Sequence, residues 1–245
     1  MVRKTVTETE NGKQFLMKRN QQLSDLYKTF CKAEGNQHIA SEYAIEKING
    51  LLEKFRVKRI LEVGLGIGSI SGILLAVNRN KPDLDYTGTE ANEFCLEALP
   101  ENLKEDYNRL QIYSNLINIP GNKKFDLIII DGKDPNLQAI KGLISENGIL
   151  AIEGDRVPQQ DSLQELFPQH KYVHCISLKK NKEYSPFSAE NWQGGIKIIF
   201  VYPTLKQHLW WFKEKYFTKI KYQYPGRYMG GEKENRKKTR DKNQD

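Results

Sequence analysis

The chain has 245 residues and a formal net charge of +7, from 38 lysines and arginines against 31 aspartates and glutamates. That length accommodates one large domain with an ample core, and no apolar run approaches the roughly 20 residues that a membrane-spanning helix needs. Three cysteines, Cys31, Cys95 and Cys175, are odd in number and widely separated, which speaks against a disulfide framework or a zinc-ligand spacing. With the polar opening MVRKTVTETENGK, which does not read as a signal peptide, they point to a reducing, cytoplasmic setting.

Helical periodicity runs over residues 13–33 and 39–55, the second marked by Tyr43, Ile45, Ile48, Leu51 and Leu52. The segment RILEVGLGIGSIS follows: Ile60, Leu61 and Val63 predict a buried strand of a parallel sheet, and Gly64, Gly66 and Gly68 a tight turn that lets backbone approach a ligand. A helix is expected from Ser69 onward. LDYTGTE predicts the next strand, with Glu90 at its carboxyl end, and a helix is expected over 92–103. A short strand over 111–114 precedes KFDLIIID, an apolar strand ending in Asp131 and followed by the turn Gly132, Lys133, Asp134, Pro135. A helix over 135–145, the strand GILAIE over 148–153, a short helix over 162–167 and an antiparallel pair over 172–178 and 196–202 complete the alternation. Such units predict an α/β, Rossmann-like, doubly wound and mostly parallel sheet with a terminal antiparallel strand and helices on both faces. Ligands of these sheets sit at the carboxyl ends of the strands, so the glycine turn, Glu90, Ser114, Asn115, Asp131 and Asp155 are expected on one rim.

Charge narrows the ligand of the glycine turn. Glu62, two places before Gly64, disfavours a pyrophosphate, and no Gly-Lys-Ser/Thr phosphate loop is present. An adenosine-bearing compound with a positive centre and no phosphate suits this pattern, and S-adenosylmethionine fits that description. Glu90 lies 22 residues beyond Gly68, near the spacing of a ribose-binding acid. Asn115 is placed at the rim of the adenine.

Glu62 with the three glycines, Glu90, FDLIIIDG and NGILAIEGD together resemble the class I S-adenosylmethionine-dependent methyltransferases, over about residues 41–204. Among these the chain is most similar to the small O-methyltransferases of the catechol and caffeoyl-CoA kind. The resemblance implies methyl transfer to a small-molecule acceptor, at oxygen, with Glu62, Gly64, Gly66, Gly68, Glu90, Asn115 and Asp131 at the cofactor. It also implies a divalent cation, Mg²⁺, held by Asp131 and by a pair falling on Asp155 and Arg156; Arg156 departs from the pattern because it cannot ligate a cation. Asp131 and Lys133 are the candidate catalytic groups, and His38 is a loop histidine near an acceptor pocket. A dehydrogenase is the rival enzyme.

The organisation expected is N-terminal helices over 1–56 capping the acceptor side, the cofactor domain over 57–203, a basic aromatic helix over 204–228 and a disordered tail over 229–245. From Thr204 onward twelve basic residues face five acidic ones, which accounts for the net charge of the whole chain. Leu205, Leu209, Phe212, Tyr216 and Ile220 share one helical face, expected to close on the domain with the lysines solvated. The alternative is a non-catalytic module of this fold that touches an anionic membrane or a nucleic acid through this basic aromatic segment.

Overall fold

Alternate residues of the central strands bury on opposite faces of one sheet: Ile60, Leu127 and Ile129 join one core, while Leu61, Val63, Ile128 and Ile130 join the other. A computed structural model of the chain describes the backbone of residues 3–223 and the side chains of residues 17–220. The sheet comprises β1 (Arg59–Val63), β2 (Asp85–Thr89), β3 (Leu110–Tyr113), β4 (Phe125–Ile130), β5 (Ile144–Glu153), β6 (Lys171–Ile176) and β7 (Gly195–Phe200). Their spatial order is β3-β2-β1-β4-β5-β7-β6. All neighbours are parallel except β7, which runs antiparallel to both β5 and β6. The order reverses between β1 and β4, which makes their carboxyl ends the switch point where ligands of such sheets bind.

On one face lie α1 (Arg3–Phe30), α2 (Glu42–Phe55), α3 (Ser69–Val77) and α4 (Glu93–Leu103). Leu23, Tyr27 and Phe30 of α1 and Ile45, Ile48, Leu51 and Leu52 of α2 bury against this side of the sheet. Ser41 caps α2 by accepting the Ala44 N–H at 3.2 Å. On the other face lie α5 (Ile140–Leu143) and α6 (Val157–Leu166), anchored by Ile140, Leu143 and Leu163. The chain then continues into α7 (Leu205–Gln223); residues 224–245, which include the last five residues of the expected helix and the whole of the expected tail, lie outside the described residues.

The structure departs from the sequence reading in three elements. The helix expected over 135–145 shrinks to a 3-10 turn and the four residues of α5, because Ile144 is buried and already pairs with Phe125. β5 therefore starts at Ile144 and not at Gly148. The helix expected over 162–167 begins at Val157, with Pro158 in its first turn where a missing N–H costs no hydrogen bond.

Candidate functional site

The glycine turn bridges β1 and α3 at the switch point. Gly64 has φ 84° and a Cβ built there would lie 2.4 Å from the Gly132 Cα, so two backbones touch where neither residue can carry a side chain. The amides of Asp131 and Gly132 both donate to the Val63 carbonyl, at 3.0 and 2.6 Å, tying the end of β4 to the end of β1. Gly64 and Leu65 donate to the Thr89 carbonyl at 3.1 and 3.0 Å, which ties β2 to the same turn. Gly66, at φ 54°, faces open space: nothing lies within 4 Å of a Cβ built on it. Gly68, also left-handed, is the N-cap of α3.

Glu90 meets this turn directly. Its carboxylate accepts the Gly66 N–H at 2.8 Å through Oε2, and the Ala91 and Asn92 N–H groups at 2.9 and 2.8 Å through Oε1. Beside the turn lies a cavity of about 330 Å³ bounded by His38, Ile39, Gly66, Phe94, Cys95 and Asp131, among others; Glu90 is not in its lining but holds two residues that are, Gly66 and Asn92. That volume falls within the range of small-molecule sites. No lysine or arginine lines it, whereas an aspartate does. A larger hollow of about 950 Å³ lies at the opposite, amino ends of the strands, where Arg59 pairs with Asp126 at 2.9 Å and Lys58 with Asp83 at 2.9 Å.

Glu62 is placed beneath the turn and not in the cavity. It is fully buried, receives the Tyr86 hydroxyl on Oε2, and leaves Oε1 without a hydrogen-bond partner. Burial pushes its carboxyl well above the ordinary carboxylate range, with the charges of Asp131 and Glu90 adding to the effect and the Tyr86 hydrogen bond opposing it. The expectation that Glu62 meets the ligand is thus corrected in position: the side chain points from β1 into the protein.

At the ends of β4 and β5 the structure gathers a group that spacing alone did not reveal. Asp131 and Glu153 share a hydrogen bond, and burial raises the pKa of both, the Glu153 charge raising that of Asp131 further. The Arg156 guanidinium opposes this: Nη2 reaches Asp131 Oδ1 at 3.3 Å and the Asp131 carbonyl, while Nε donates to the Glu153 carbonyl at 2.9 Å. Ser41 at the start of α2 donates its N–H to Glu153 Oε1 at 3.3 Å. Gln159 of α6 donates to the Gly132 carbonyl at 2.9 Å. Arg156 thereby bridges Asp131 and the end of β5.

The remaining sequence-based candidates scatter. The Asp155 side chain is 92% exposed and faces Lys197 at 3.5 Å, away from Asp131. No cluster of three metal-binding side chains exists among the described residues. The residues present do not fit a Mg²⁺ site, because a guanidinium occupies the position of one ligand and the second acid points outward. Lys133 is exposed on the turn after β4 and does not line the cavity. Asn115 accepts the Asn118 N–H at 3.2 Å and caps a 3-10 turn outside the cavity lining. Phe94 and Cys95, at the start of α4, were missed; their distance from Glu90 in the chain is short, but only the fold shows that this end of α4 faces the turn.

Comparison with known proteins supports the fold. No family model matches the chain. A ribosomal protein L11 methyltransferase of Fusobacterium nucleatum is 28% identical over 142 residues, covering 54% of this chain and 43% of the relative, so the chain spans less than half the length of that protein. The O-methyltransferase TomG from Streptomyces achromogenes, solved with SAM, superposes with a TM-score of 0.55 at 15% identity, covering 74% of this chain and 89% of its own. An O-methyltransferase of Bacillus cereus, solved with SAH, gives 0.54 at 17% identity, with 74% and 90% covered. The likeness is one of fold: a mostly parallel, Rossmann-like sheet with helices on both faces, shared with these solved methyltransferases.

Proposed function

We propose that this chain binds S-adenosylmethionine and transfers its methyl group to a small-molecule acceptor, at oxygen. One observation carries the reading: the glycine turn and the Glu90 carboxylate meet at 2.8 Å beside a switch-point cavity that contains an acid and no base of the lysine or arginine kind. A carboxylate at that place suits two neighbouring ribose hydroxyls. The lack of lysine and arginine in the lining disfavours a dinucleotide, whose pyrophosphate seeks positive partners. When bound, the cofactor supplies a methyl group already activated by a sulfonium.

The chain's own residues then have three tasks. The Gly64–Gly68 turn and Glu90 fix the ligand's position, and orientation of the reacting groups is the largest contribution available, roughly 7 to 11 kcal/mol in well-oriented systems. Phe94 and Ile39 supply apolar walls that exclude water. Asp131, at the cavity wall with its pKa raised by burial and Glu153, takes the acceptor hydroxyl's proton, and Arg156 holds its carboxylate in place. No divalent cation enters this scheme. Titration calorimetry of the purified protein with S-adenosylhomocysteine and with NAD tests it: micromolar binding of the former alone is expected, and binding of NAD instead would replace the reading with that of a dehydrogenase.

The ribosomal protein L11 methyltransferase relative allows a second reading, in which the acceptor is a protein. The Asp131 wall favours the small hydroxyl compound, because a carboxylate whose pKa is raised by burial is a stronger proton acceptor, the Arg156 guanidinium at 3.3 Å acting in the opposite sense.

A further inference from the structure

The helix α7 is fully engaged with the protein through one face only. Trp210 packs edge-on against Phe200 and Phe55, with ring centres 5.5 and 6.1 Å apart. Trp211 donates to the Tyr172 carbonyl at 2.8 Å, Thr218 to the His174 carbonyl at 3.0 Å and Gln207 to the Asn147 carbonyl at 2.7 Å. Glu214, the sole acid of the helix, pairs with Lys47 of α2 at 3.0 Å. These inward residues recur at helical spacing and leave no inward place for the leucine stripe.

That stripe points to solvent. Leu205, Leu209, Phe212 and Tyr216 are 79, 65, 64 and 58% exposed, about three turns of apolar surface along one line. Lys206 and Lys213 run along one side of it and Lys215 and Lys219 along the other, all exposed. The one carboxylate of α7 is already neutralised from the protein side, so the outward surface is apolar at its centre and uniformly positive at its margins.

We infer that α7 docks the protein onto an anionic lipid bilayer, with Leu205, Leu209, Phe212 and Tyr216 inserted at the level of the headgroups and the two lysine rows against acidic lipids. Charge complementarity selects this occupant. A second copy of the same helix would bring lysine rows together, and a nucleic acid would match the lysines but offer nothing into which leucines could insert. Lysine stems also lie along such a surface with their ammonium groups raised to the phosphates. The sequence beyond Gln223 adds seven basic residues against four acidic ones, reinforcing the sign. α7 lies along β6, the outer strand of the sheet, several strands from the cavity at β1 and β4, so docking leaves that cavity open.

Flotation of the full chain with vesicles tests this. Vesicles of phosphatidylcholine with about one third phosphatidylserine should carry the protein upward, pure phosphatidylcholine vesicles should not, and raising the salt should release it. The double variant Leu209→Asp/Phe212→Asp changes only exposed side chains, so it should keep the thermal midpoint of the parent while vesicle affinity falls at least tenfold. The proposal is overturned by failure to float with acidic vesicles, or by vesicle binding that the double variant retains. It is also overturned by a dimer that the double variant dissolves, or by tighter binding to a single-stranded RNA oligomer than to acidic vesicles.

Discussion

The rim of the sheet has two halves built by different means. Around β1 and β2 backbone shapes the surface: Gly64 against Gly132, carbonyls of Val63 and Thr89 receiving amides, and a carboxylate satisfied by three N–H groups. Around β4 and β5 side chains shape it: Asp131, Glu153 and Arg156 balance one another's charge in a partly buried cluster. The first arrangement tolerates no added atom at its contact, while the second can exchange a residue and adjust. On the proposed reading, fixed geometry holds the ligand and adjustable electrostatics serve the proton.

The largest expected effect comes from Gly64→Ala. A left-handed conformation costs a residue with a Cβ about 1 to 2 kcal/mol, and here the methyl would also collide with Gly132. Thermal denaturation should show a midpoint lowered by more than about 5 °C, and titration with S-adenosylhomocysteine should show no binding. A variant that retains both would dissolve the distinction between the halves. Glu90→Ala should come next: the fold persists, and affinity for the same ligand drops about ten- to one-hundred-fold, as the loss of charge-assisted hydrogen bonds worth about 1.5 to 3 kcal/mol predicts.

Arg156→Met sharpens the comparison from the other half. Affinity for S-adenosylhomocysteine should change by less than about threefold, while turnover falls by about tenfold or more. Because Arg156 holds the Asp131 pKa down, its removal should also move the acid limb of the rate profile to higher pH. Equal losses of affinity and turnover would place Arg156 with the ligand and not with the proton.

The smallest effect concerns Glu62. Its native pKa is raised by burial, whereas in the unfolded chain the carboxyl ionises near about pH 4.3. Above that pH the unfolded state has released a proton that the folded state still holds, so stability falls as pH rises until the native carboxyl ionises. Glu62→Gln cannot ionise and should lack this loss. Urea unfolding measured from pH 4 to 8 should therefore show the variant gaining on the parent as pH rises; parallel curves would mean that Glu62 is not buried as described.

The backbone-built half was legible in the sequence because its information is compositional. Glycines at alternate positions after an apolar run have few other uses, and an acid at the end of the next strand has a nearly fixed distance from them. What the sequence hid was direction. Glu62 sits two residues before Gly64 and reads as a neighbour of the ligand, but the strand's alternation turns it into the core with Tyr86. Asp155 reads as a companion of Asp131, yet it follows a left-handed Gly154 that turns it outward, while Arg156 turns back. The leucine stripe of α7 reads as the face that closes on the domain; its neighbours Trp210 and Trp211 take that place, because indole rings reach both the Phe55 and Phe200 edges and the Tyr172 carbonyl on β6. Periodicity identifies a face but not which of two amphipathic faces wins.

The threefold amide clasp on Glu90 has a kinetic consequence. Gly66, Ala91 and Asn92 already find their acceptor within the chain, so the turn keeps its shape through the protein's own contacts. Ordering a loop residue costs about 1 to 2 kcal/mol, and here folding has met that cost before any ligand arrives. Association should proceed at the rate of encounter with a rigid pocket, and differences among adenosyl compounds should emerge in how slowly they leave.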